Sequence, residues 1–389
     1  MFVPLRYNLR NLTERKGTTL MTALGIGLTV AVLITSIAMT TGMAAVFSGT
    51  GHPRQVLVLR EGVDSELNSS VKEENYLIIR QLPGIAKNAN GELMASQEGL
   101  QVVNLPSVEN PDGMNVTIRG LLPIGVSMRD GAKLTDGRWN TPGKREVVVG
   151  EGIAARYPAA RIGSSLKFGR GTWDVVGTFA DGTSAANSEI WTDLNQLRGD
   201  FEQQGGSSSV LVRLNSEADI PAFKAAVKGE KRLDSDTWRE QDYYQNLTKS
   251  SSGTLLQFIG FFVSIVMAVG AGFAATNTMY AAVSRRSKEI GTLRALGFGR
   301  FAILVSFVFE STCLALLGGL LGCLIAFPLN GTAAGVGNWQ TFSEMAFKFK
   351  IDGRAITYGL LFAATIGALG GFLPAWAAAK KGIVAAMRD

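Results

Sequence analysis

The sequence of 389 residues has one histidine, two cysteines and 18% charged residues. These numbers exclude a histidine-rich metal centre, a secreted disulfide scaffold and a long disordered chain, because each class lacks the residues it is built from. The mean hydropathy is positive, and the apolar residues are gathered into long runs instead of being spread evenly.

Four apolar runs dominate the sequence, at residues 20–47, 254–283, 301–328 and 356–379. Each is longer than the roughly 20 apolar residues that cross a hydrocarbon core about 30 Å thick. The sequence therefore predicts a membrane protein with four transmembrane helices. Residues 48–253, between the first two runs, have an ordinary soluble composition and predict a large extracytoplasmic domain.

Charge fixes the expected orientation. Residues 48–253 contain 23 Lys and Arg against 26 Asp and Glu, whereas the rest of the chain contains 15 basic and 6 acidic residues. Short loops rich in Lys and Arg stay in the cytoplasm, which applies here to residues 1–19, 284–300 and 380–389. Both termini are then cytoplasmic, and the loop 329–355 lies outside. Since the basic charge belongs to the membrane flanks, no nucleic-acid partner is expected.

Residues 1–19 allow two interpretations. Leu5, Leu9 and Leu12 share one helical face, which predicts an amphipathic helix on the inner membrane surface, whereas a simple cluster of orienting charges explains the same segment. A cleaved signal peptide is disfavoured because the apolar run that follows is longer than the 7 to 15 residues typical of such a peptide.

The extracytoplasmic region mixes strand and helix patterns and predicts an α+β domain. Strands are expected where β-branched residues lie between turn-rich borders, at residues 56–59, 101–104, 116–119, 146–149, 173–179 and 210–214. Helices are expected at residues 71–82, 152–157 and 220–228. The Gly/Ser-rich stretch 203–209 is a candidate linker between subdomains, and the stretch 250–253 marks the return to the membrane.

No catalytic or metal-binding constellation is found. His52 follows the first run and is interpreted as a surface residue at a helix end. Cys313 and Cys323 are ten positions apart in one predicted helix, about 15 Å along its axis and beyond disulfide reach. The string 137–145 is the nearest to a phosphate-binding loop, but Lys144 precedes Arg145 where Ser or Thr is needed.

A membrane enzyme would therefore have to use carboxylates such as Asp174, Asp181 and Glu189, which we interpret as solvated surface residues. We expect a chain that is not an enzyme and holds no cofactor or metal, so any ATP hydrolysis belongs to another polypeptide.

The loop 284–300 carries the most specific pattern. Ile290, Leu293 and Leu296 recur at near-helical spacing, and Gly297 is a candidate helix C-cap. A helix that exposes apolar side chains at the inner surface can fit a groove on a cytoplasmic partner. A positively charged loop with an apolar stripe facing lipid is the alternative.

This loop resembles that of MacB/FtsX-type ABC transporter permeases, a mechanotransmission family. The motif Arg-x-x-Glu-Ile-Gly-x-x-Arg-Ala-x-Gly is matched by Arg286, Glu289, Ile290, Gly291, Arg294, Ala295 and Gly297. The tail Gly370–Lys380, with Pro374 and Ala375, and the stretch from Gly137 to Gly177 are also similar to the family.

The resemblance implies a permease subunit of the bacterial inner membrane. In this family two permeases pair, as homodimer or heterodimer, and each loop contacts an ATPase subunit that binds ATP and Mg. The coupling residues would be those of the motif together with Leu293 and Leu296. Hydrolysis on the partner would drive export or extraction of a peptide, drug, lipid or lipoprotein, with a periplasmic adaptor or carrier in some relatives. The alternative is an FtsX-like signalling subunit that regulates a cell-wall hydrolase.

Three intramembrane residues are further candidates. Glu310 lies about 15 Å into the third span, where a carboxylate normally faces a bundle interior. Interhelical hydrogen bonding or gating is expected for it, with a neutral or snorkelling side chain as the alternative. Gly318 and Gly322 form a small-xxx-small pair that allows helices to approach closely, either in a dimer contact or within one subunit.

Overall fold

The structure, a computed structural model, describes residues 16–106, 112–202, 205–250, 252–338 and 343–380. They belong to two compact units. The helical bundle takes its residues from Met1–Thr41, Leu255–Thr332 and Phe349–Asp389, and the large domain from Gly42–Thr254 and Ala333–Lys348. The predicted amphipathic segment with Leu5, Leu9 and Leu12, and the tail beyond Lys380, lie outside the described residues.

The helices are numbered in chain order. They are α1 (Lys16–Ser48), α2 (Glu73–Ile79), α3 (Pro123–Ser127), α4 (Glu151–Arg156), α5 (Leu194–Asp200), α6 (Ile220–Gly229), α7 (Glu240–Ser250), α8 (Ser252–Arg285), α9 (Ser287–Ala295), α10 (Arg300–Ala326) and α11 (Gly353–Lys380).

Four of the described helices, α1, α8, α10 and α11, are long and apolar enough to cross a membrane. They cover the four predicted spans, because an apolar helix with every backbone group bonded internally is the stable form of such a run in lipid. At 1.5 Å per residue the 33 residues of α1 measure about 50 Å, which is more than a hydrocarbon core requires.

The bundle core is built from side chains of all four spans. Ile26, Val30 and Ile34 of α1 pack with Ala275 of α8, and the same cluster includes Leu314 and Ala315 of α10 and Ala355 and Ala363 of α11. Small residues predominate on α10 and α11, so these helices approach closely.

The strands are also numbered in chain order. They are β1 (Gln55–Arg60), β2 (Val71–Lys72), β3 (Ala95–Leu105), β4 (Met114–Leu121), β5 (Lys133–Gly137), β6 (Glu146–Gly150), β7 (Ser165–Phe168), β8 (Gly171–Ala180), β9 (Glu189–Asp193), β10 (Gly206–Ser207), β11 (Ser209–Arg213), β12 (Ser235–Arg239), β13 (Ala333–Asn338) and β14 (Ser343–Lys348).

The large domain is organised around one mixed sheet. In the described part of the chain its order is β12-β1-β11-β3-β4-β9-β6-β8-β5, with β7 paired to β8. Most neighbours are antiparallel, whereas the β4/β9 and β6/β8 pairs are parallel. Several hydrophobic clusters lie along it, and two of them are the largest. One is centred on Trp173 and the β4, β6 and β9 strands, and the other on Phe223 and the β1 and β11 strands.

The predicted strands of this domain are all present, most of them a few residues longer than expected. Two expectations were wrong. The helix expected from residue 71 begins at Glu73, because Val71 and Lys72 pair with β10 as a short strand. The Gly/Ser-rich stretch is not a linker in its described part, since Gly206–Ser207 is β10 and Ser209 opens β11 in the middle of the sheet.

The loop 329–355 contains a β-hairpin that the sequence did not predict. Strands β13 and β14 pair along six residues each and belong to the large domain. The backbone N–H of Ala346 donates to Ser188 Oγ at 2.8 Å, and Lys348 Nζ lies 3.3 Å from Glu151 Oε1. The hairpin thus packs against the elements that flank β6 and β9.

Candidate functional site

The candidate coupling loop forms an elbow, defined here as Arg286 to Gly297. Helix α8 ends at Arg285 and helix α9 begins at Ser287, so the chain turns at a single residue, Arg286, whose φ and ψ are −104° and 17°. Only one residue therefore separates the second span from the nine-residue helix α9.

One face of α9 is exposed. It carries Lys288, Glu289, Thr292, Ala295 and Leu296, spaced three or four positions apart as a helical face requires. Leu296 is 70% exposed, which is unusual for a leucine at the end of a helix that has a buried side. Of the predicted coupling residues, Glu289, Ala295, Leu296 and Gly297 therefore lie on the surface, where a partner could contact them.

The opposite face of α9 is buried within the chain, and the coupling role of its residues stays a prediction. Arg286 is 5% exposed, Ile290 is 1% exposed and Gly291 is also buried. The side chains of Arg286 and Ile290 face the bundle, and the chain itself covers all three residues. Leu293 and Arg294 are half-buried at the border between the two faces.

Gly297 ends the elbow helix as predicted. Its φ of +94° lies in the left-handed region that favours glycine. The N–H of Phe298 donates to the carbonyl of Leu293 at 3.1 Å, and the N–H of Gly297 donates to that of Arg294 at 3.1 Å. This pair of bonds is a Schellman motif, which satisfies two carbonyls that the helix end would otherwise leave unpaired.

Glu310 of α10 contacts Arg286, the residue between α8 and α9. Arg286 Nη1 lies 3.1 Å from Glu310 Oε1 and 3.0 Å from Oε2, with both side chains buried. The snorkelling alternative does not apply, since the carboxylate points inward to a guanidinium. A buried carboxylate in a span is costly when it has no counter-ion, so the pair explains how Glu310 is accommodated.

Gly318 and Gly322 serve packing within the subunit. A Cβ at Gly318 would lie 2.7 Å from the carbonyl oxygen of Ala23, and one at Gly322 would lie 2.5 Å from that of Gly27. Conversely, a Cβ at Gly27 would meet the Gly318 carbonyl at 2.9 Å. Helices α1 and α10 therefore cross with their backbones in contact, which glycine alone permits.

Several hydroxyl contacts between spans were not predicted, and two of them involve α11. Ser311 Oγ of α10 donates to the carbonyl of Gly367 at 2.7 Å, and Thr276 Oγ1 of α8 donates to that of Gly370 at 2.8 Å. The second contact has a cause in the sequence. Pro374 has no N–H, so the Gly370 carbonyl four residues earlier loses its helical donor and Thr276 replaces it.

The large domain contains a network of buried ions, called the Arg119 hub here. The Arg119 guanidinium contacts the carboxylates of Glu66, Glu98 and Glu189, with shortest distances of 2.8, 2.9 and 2.8 Å. Arg129 lies 2.7 Å from Glu98, so two guanidinium groups serve three carboxylates. These residues come from separate strands and turns, so the hub ties the middle of the sheet together.

Within the hub, burial and neighbouring charges shift the pKa values of Arg119 and Glu189 in opposite directions. Burial alone would lower the pKa of Arg119, but the carboxylates of Glu189 and Glu66 raise it well above its usual value. Burial would likewise raise the pKa of Glu189, but the Arg119 guanidinium holds it below its usual value. Both groups are therefore charged. The expectation that Glu189 is a solvated surface residue was wrong, because this side chain completes a buried ion network.

A cavity of about 160 Å³ lies beside the hub within the large domain. Glu240, the first residue of α7, faces it and accepts a hydrogen bond from the backbone N–H of His52 at 2.8 Å. Burial raises the pKa of Glu240 to about 7, opposed by Arg129 and by the bond from His52 and reinforced by Glu98 and Glu66.

His52 is half-buried at this cavity, and so it is not the plain surface residue that was expected. Its Nε2 lies 3.8 Å from Asp130, and burial lowers its pKa. Within the described residues, no three His, Cys, Asp or Glu side chains converge in a way that could hold a metal ion.

Two family profiles match this sequence. One, described as the MacB-like periplasmic core domain, covers residues 19–230, which is more than half of the chain. The other, described as the FtsX-like permease C-terminal region, covers residues 261–383 and includes the elbow, α10 and α11.

Curated relatives agree with these profiles. The uncharacterized ABC transporter permease YknZ of Bacillus subtilis is 24% identical over 404 residues, covering 99% of this chain and 98% of the relative. The macrolide export ATP-binding/permease protein MacB of Neisseria gonorrhoeae is 27% identical over 232 residues, covering 56% of this chain but 34% of the relative. The match therefore extends over the whole of YknZ but only about a third of MacB.

Solved structures that are similar to part of this chain include two transporter domains. They are the extracellular domain of YknZ from Gram-positive bacteria (18% identity, TM-score 0.36, 47% of this chain and 99% of that one) and the periplasmic region of MacB from Actinobacillus actinomycetemcomitans (14%, 0.38, 52% and 96%). With four apolar spans, a periplasmic-type domain of mixed strands and helices, and the two matching profiles, the chain belongs to the MacB/FtsX-type ABC transporter permeases.

Proposed function

We propose that this permease couples ATP hydrolysis on a separate ATPase subunit to a conformational change of the large domain that exports or extracts a substrate. ATP and Mg would be bound by the partner. The elbow would fit a groove of that partner, and its displacement on ATP binding would be passed through the spans.

The observation that carries this proposal is the exposed face of α9. It combines Lys288 and Glu289, which offer charge, with Leu296, which offers an uncovered apolar side chain. A short helix with charged residues around a projecting leucine suits a protein groove, because the leucine supplies buried area and the charges fix the register. Membrane lipid alone would not explain why Glu289 shares this face.

The orientation follows from charge. The basic residues Arg285, Lys288, Arg294 and Arg300 lie at or near the elbow, and positively charged short loops stay in the cytoplasm. We infer that the elbow and both termini face the cytoplasm of a bacterial cell, that the protein lies in its inner membrane, and that the large domain lies outside.

A second permease subunit, identical or not, would pair with this one. In the apolar part of α8 only 17% of residues are buried, against 50% in α1. Phe258, Phe261, Phe262 and Phe273 are exposed along it. Lipid covers part of such a surface, and α8 is the span with the most surface left for a second subunit.

The experiment is co-expression of the chain with ABC ATPase subunits of the same genome, followed by purification in detergent and reconstitution in lipid vesicles. Glu289→Arg and Leu296→Arg are expected to abolish co-purification of the ATPase, because each places a cation on the contact face. Leu77→Arg is the matched control, since Leu77 is a 51% exposed leucine in the large domain. ATPase binding that survives both elbow variants would remove the coupling assignment.

Measuring substrate accumulation distinguishes a transport function from a signalling function. A peptide, drug, lipid or lipoprotein exporter would leave its substrate accumulated in cells that lack the chain, and mass spectrometry of cell extracts would measure this accumulation. A regulator of a cell-wall hydrolase would instead change wall cleavage without accumulation of any such compound, and that result would favour the FtsX-like alternative.

A further inference from the structure

The elbow is attached to the bundle at several points, and the first of these is its turning residue. Arg286 is the single residue between α8 and α9, and its side chain pairs with Glu310, ten residues after the start of α10. In a medium of low dielectric constant, separating these charges costs far more than in water. The turn is therefore tied to the third span by an interaction that is hard to break.

The second attachment is hydrophobic. Ile290, on the buried face of α9, belongs to one cluster with Met279 and Val283 of α8, Ile303 and Phe307 of α10, and Ala375 and Ala378 of α11. Because this cluster joins α9 to three spans, close packing within it holds the elbow helix at a fixed distance from each of them.

The third attachment lies at the far end of the elbow. Arg294 Nη1 donates to the carbonyl of Ala379 at 3.3 Å, in the last turn of α11. Carbonyls in a last turn have no donor within their own helix, and a cation there also interacts favourably with the helix dipole. The bond between Thr276 and Gly370 joins α8 to α11 within the same region.

From these contacts we propose that the elbow, the adjoining end of α8, the first half of α10 and the last turns of α11 form one rigid body, and that Arg286 and Glu310 are its positioning residues. The link to ATP rests on the function proposed above. A displacement of α9 by the ATPase would then move three spans together. A flexible elbow, or a second span acting as a single rod, would move α8 alone.

The first experiment needs no ATPase. In a background with Cys313→Ala and Cys323→Ala, spin labels are attached to cysteines at the exposed positions Thr292 and Trp376, and their distance is measured by electron paramagnetic resonance in lipid nanodiscs. The parent protein is expected to give one narrow distance distribution. The double variant Arg286→Gln with Glu310→Gln keeps polar side chains but removes both charges, and should lose the narrow peak.

Two further variants make this result specific. The exchanged pair, Arg286→Glu with Glu310→Arg, is expected to restore the narrow peak, because it restores opposite charges. Arg285→Gln, which alters the exposed neighbouring arginine, should change nothing. If the double glutamine variant keeps the narrow distribution, or if Arg285→Gln broadens it equally, Arg286 and Glu310 do not position the elbow.

The second experiment adds the co-purified ATPase and compares nucleotide-free complex with complex trapped by ATP and vanadate. A rigid body predicts the same distance from Thr292 to Trp376 in both states, and a changed distance on trapping in the double glutamine variant, whose elbow moves alone. A changed distance in the parent would overturn the rigid body. Failure to bind any ATPase would refute the proposed function. The first experiment would still test whether Arg286 and Glu310 attach the elbow to the bundle, because it needs no ATPase.

Discussion

The helical bundle and the large domain both bury arginine and carboxylate side chains, but they do so by different means. In the bundle, Arg286 forms an ion pair with Glu310. Other contacts between the helices are made by glycine, alanine and hydroxyl groups. In the large domain, Arg119 contacts three carboxylates, one of which also contacts Arg129. Close backbone packing thus provides most of the stabilisation of the bundle, whereas a shared network of ions also stabilises the large domain.

The difference follows from the surrounding solvent. Lipid provides no hydrophobic force that drives helices together, so small residues that bring backbones into contact supply the attraction. A water-exposed domain obtains that force from burial of apolar side chains such as Trp173 and Phe223, and it can include charged groups in its interior if each has partners. A substitution that disturbs helix packing should therefore lower the stability of the bundle alone, and one that disturbs the ion network should lower the stability of the large domain alone.

The largest expected effect comes from the Arg119 hub. Arg119→Leu leaves Glu66, Glu98 and Glu189 buried without their shared cation, and the large domain should lose about 3–5 kcal/mol of stability. The check is thermal unfolding of the full chain, followed by tryptophan fluorescence. Arg232→Leu, at an exposed arginine paired with Glu230, is the control and should change nothing measurable. Equal stability of the two variants would show that the hub is dispensable.

Next in size is the pH dependence that Glu240 brings to the large domain. Its pKa in the folded protein is about 7 against an ordinary 4.5, so the folded state holds a proton that the unfolded state releases between these values. Its contribution to the free energy of unfolding therefore falls by about 3 kcal/mol as pH rises from 4.5 to 7.

Glu240→Gln copies the protonated form and keeps an acceptor for the His52 N–H. The variant should match the parent near pH 4.5 and exceed it above pH 7, in denaturant unfolding of the full chain across this range. A constant difference between variant and parent at every pH would show that Glu240 does not titrate in this window.

A smaller effect is expected where α1 crosses α10. Gly322→Ala places a Cβ 2.5 Å from the Gly27 carbonyl oxygen, so the two helices must separate, at a cost of about 1–3 kcal/mol. Gly270→Ala in α8 is the matched control, since its Cβ would meet nothing within 4 Å. Thermal stability in detergent should drop for the first variant only. If both behave alike, close approach of α1 and α10 is not what stabilises the bundle.

Features that depend on a local residue pattern were predicted correctly from the sequence. The four spans follow from the length of apolar runs, and the end of the elbow at Gly297 follows from a glycine after a periodic segment. Six strands of the large domain were recognised from β-branched runs, namely β1, β3, β4, β6, β8 and β11. Its other strands, the order of the sheet and the hairpin in the loop 329–355 were not predicted, because pairing between distant strands leaves no periodic signal.

The ion pairs were missed for a related reason. Arg286 was predicted as one of the coupling residues of a basic loop, and its partner Glu310 is 24 positions away. Arg119 is 53 positions from Glu66 and 70 from Glu189. One contact did have a signal in the sequence. Pro374 inside an apolar run frees the Gly370 carbonyl, which requires a donor from another span, and Thr276 provides it.

The smallest effect is local to the elbow and tests how its helix ends. Gly297→Ala keeps the space around the residue, since a Cβ there meets nothing within 4 Å, but it strains a backbone with φ of +94° by about 1–2 kcal/mol. Gly299→Ala is the control, because Gly299 has φ of −68° and equal space. Hydrogen exchange of the full chain should speed up around Leu293 to Phe298 in the first variant only, because the strain weakens the two hydrogen bonds of the helix end. Equal exchange in both variants would mean that the end of α9 is held by its burial against the bundle, with no contribution from the glycine.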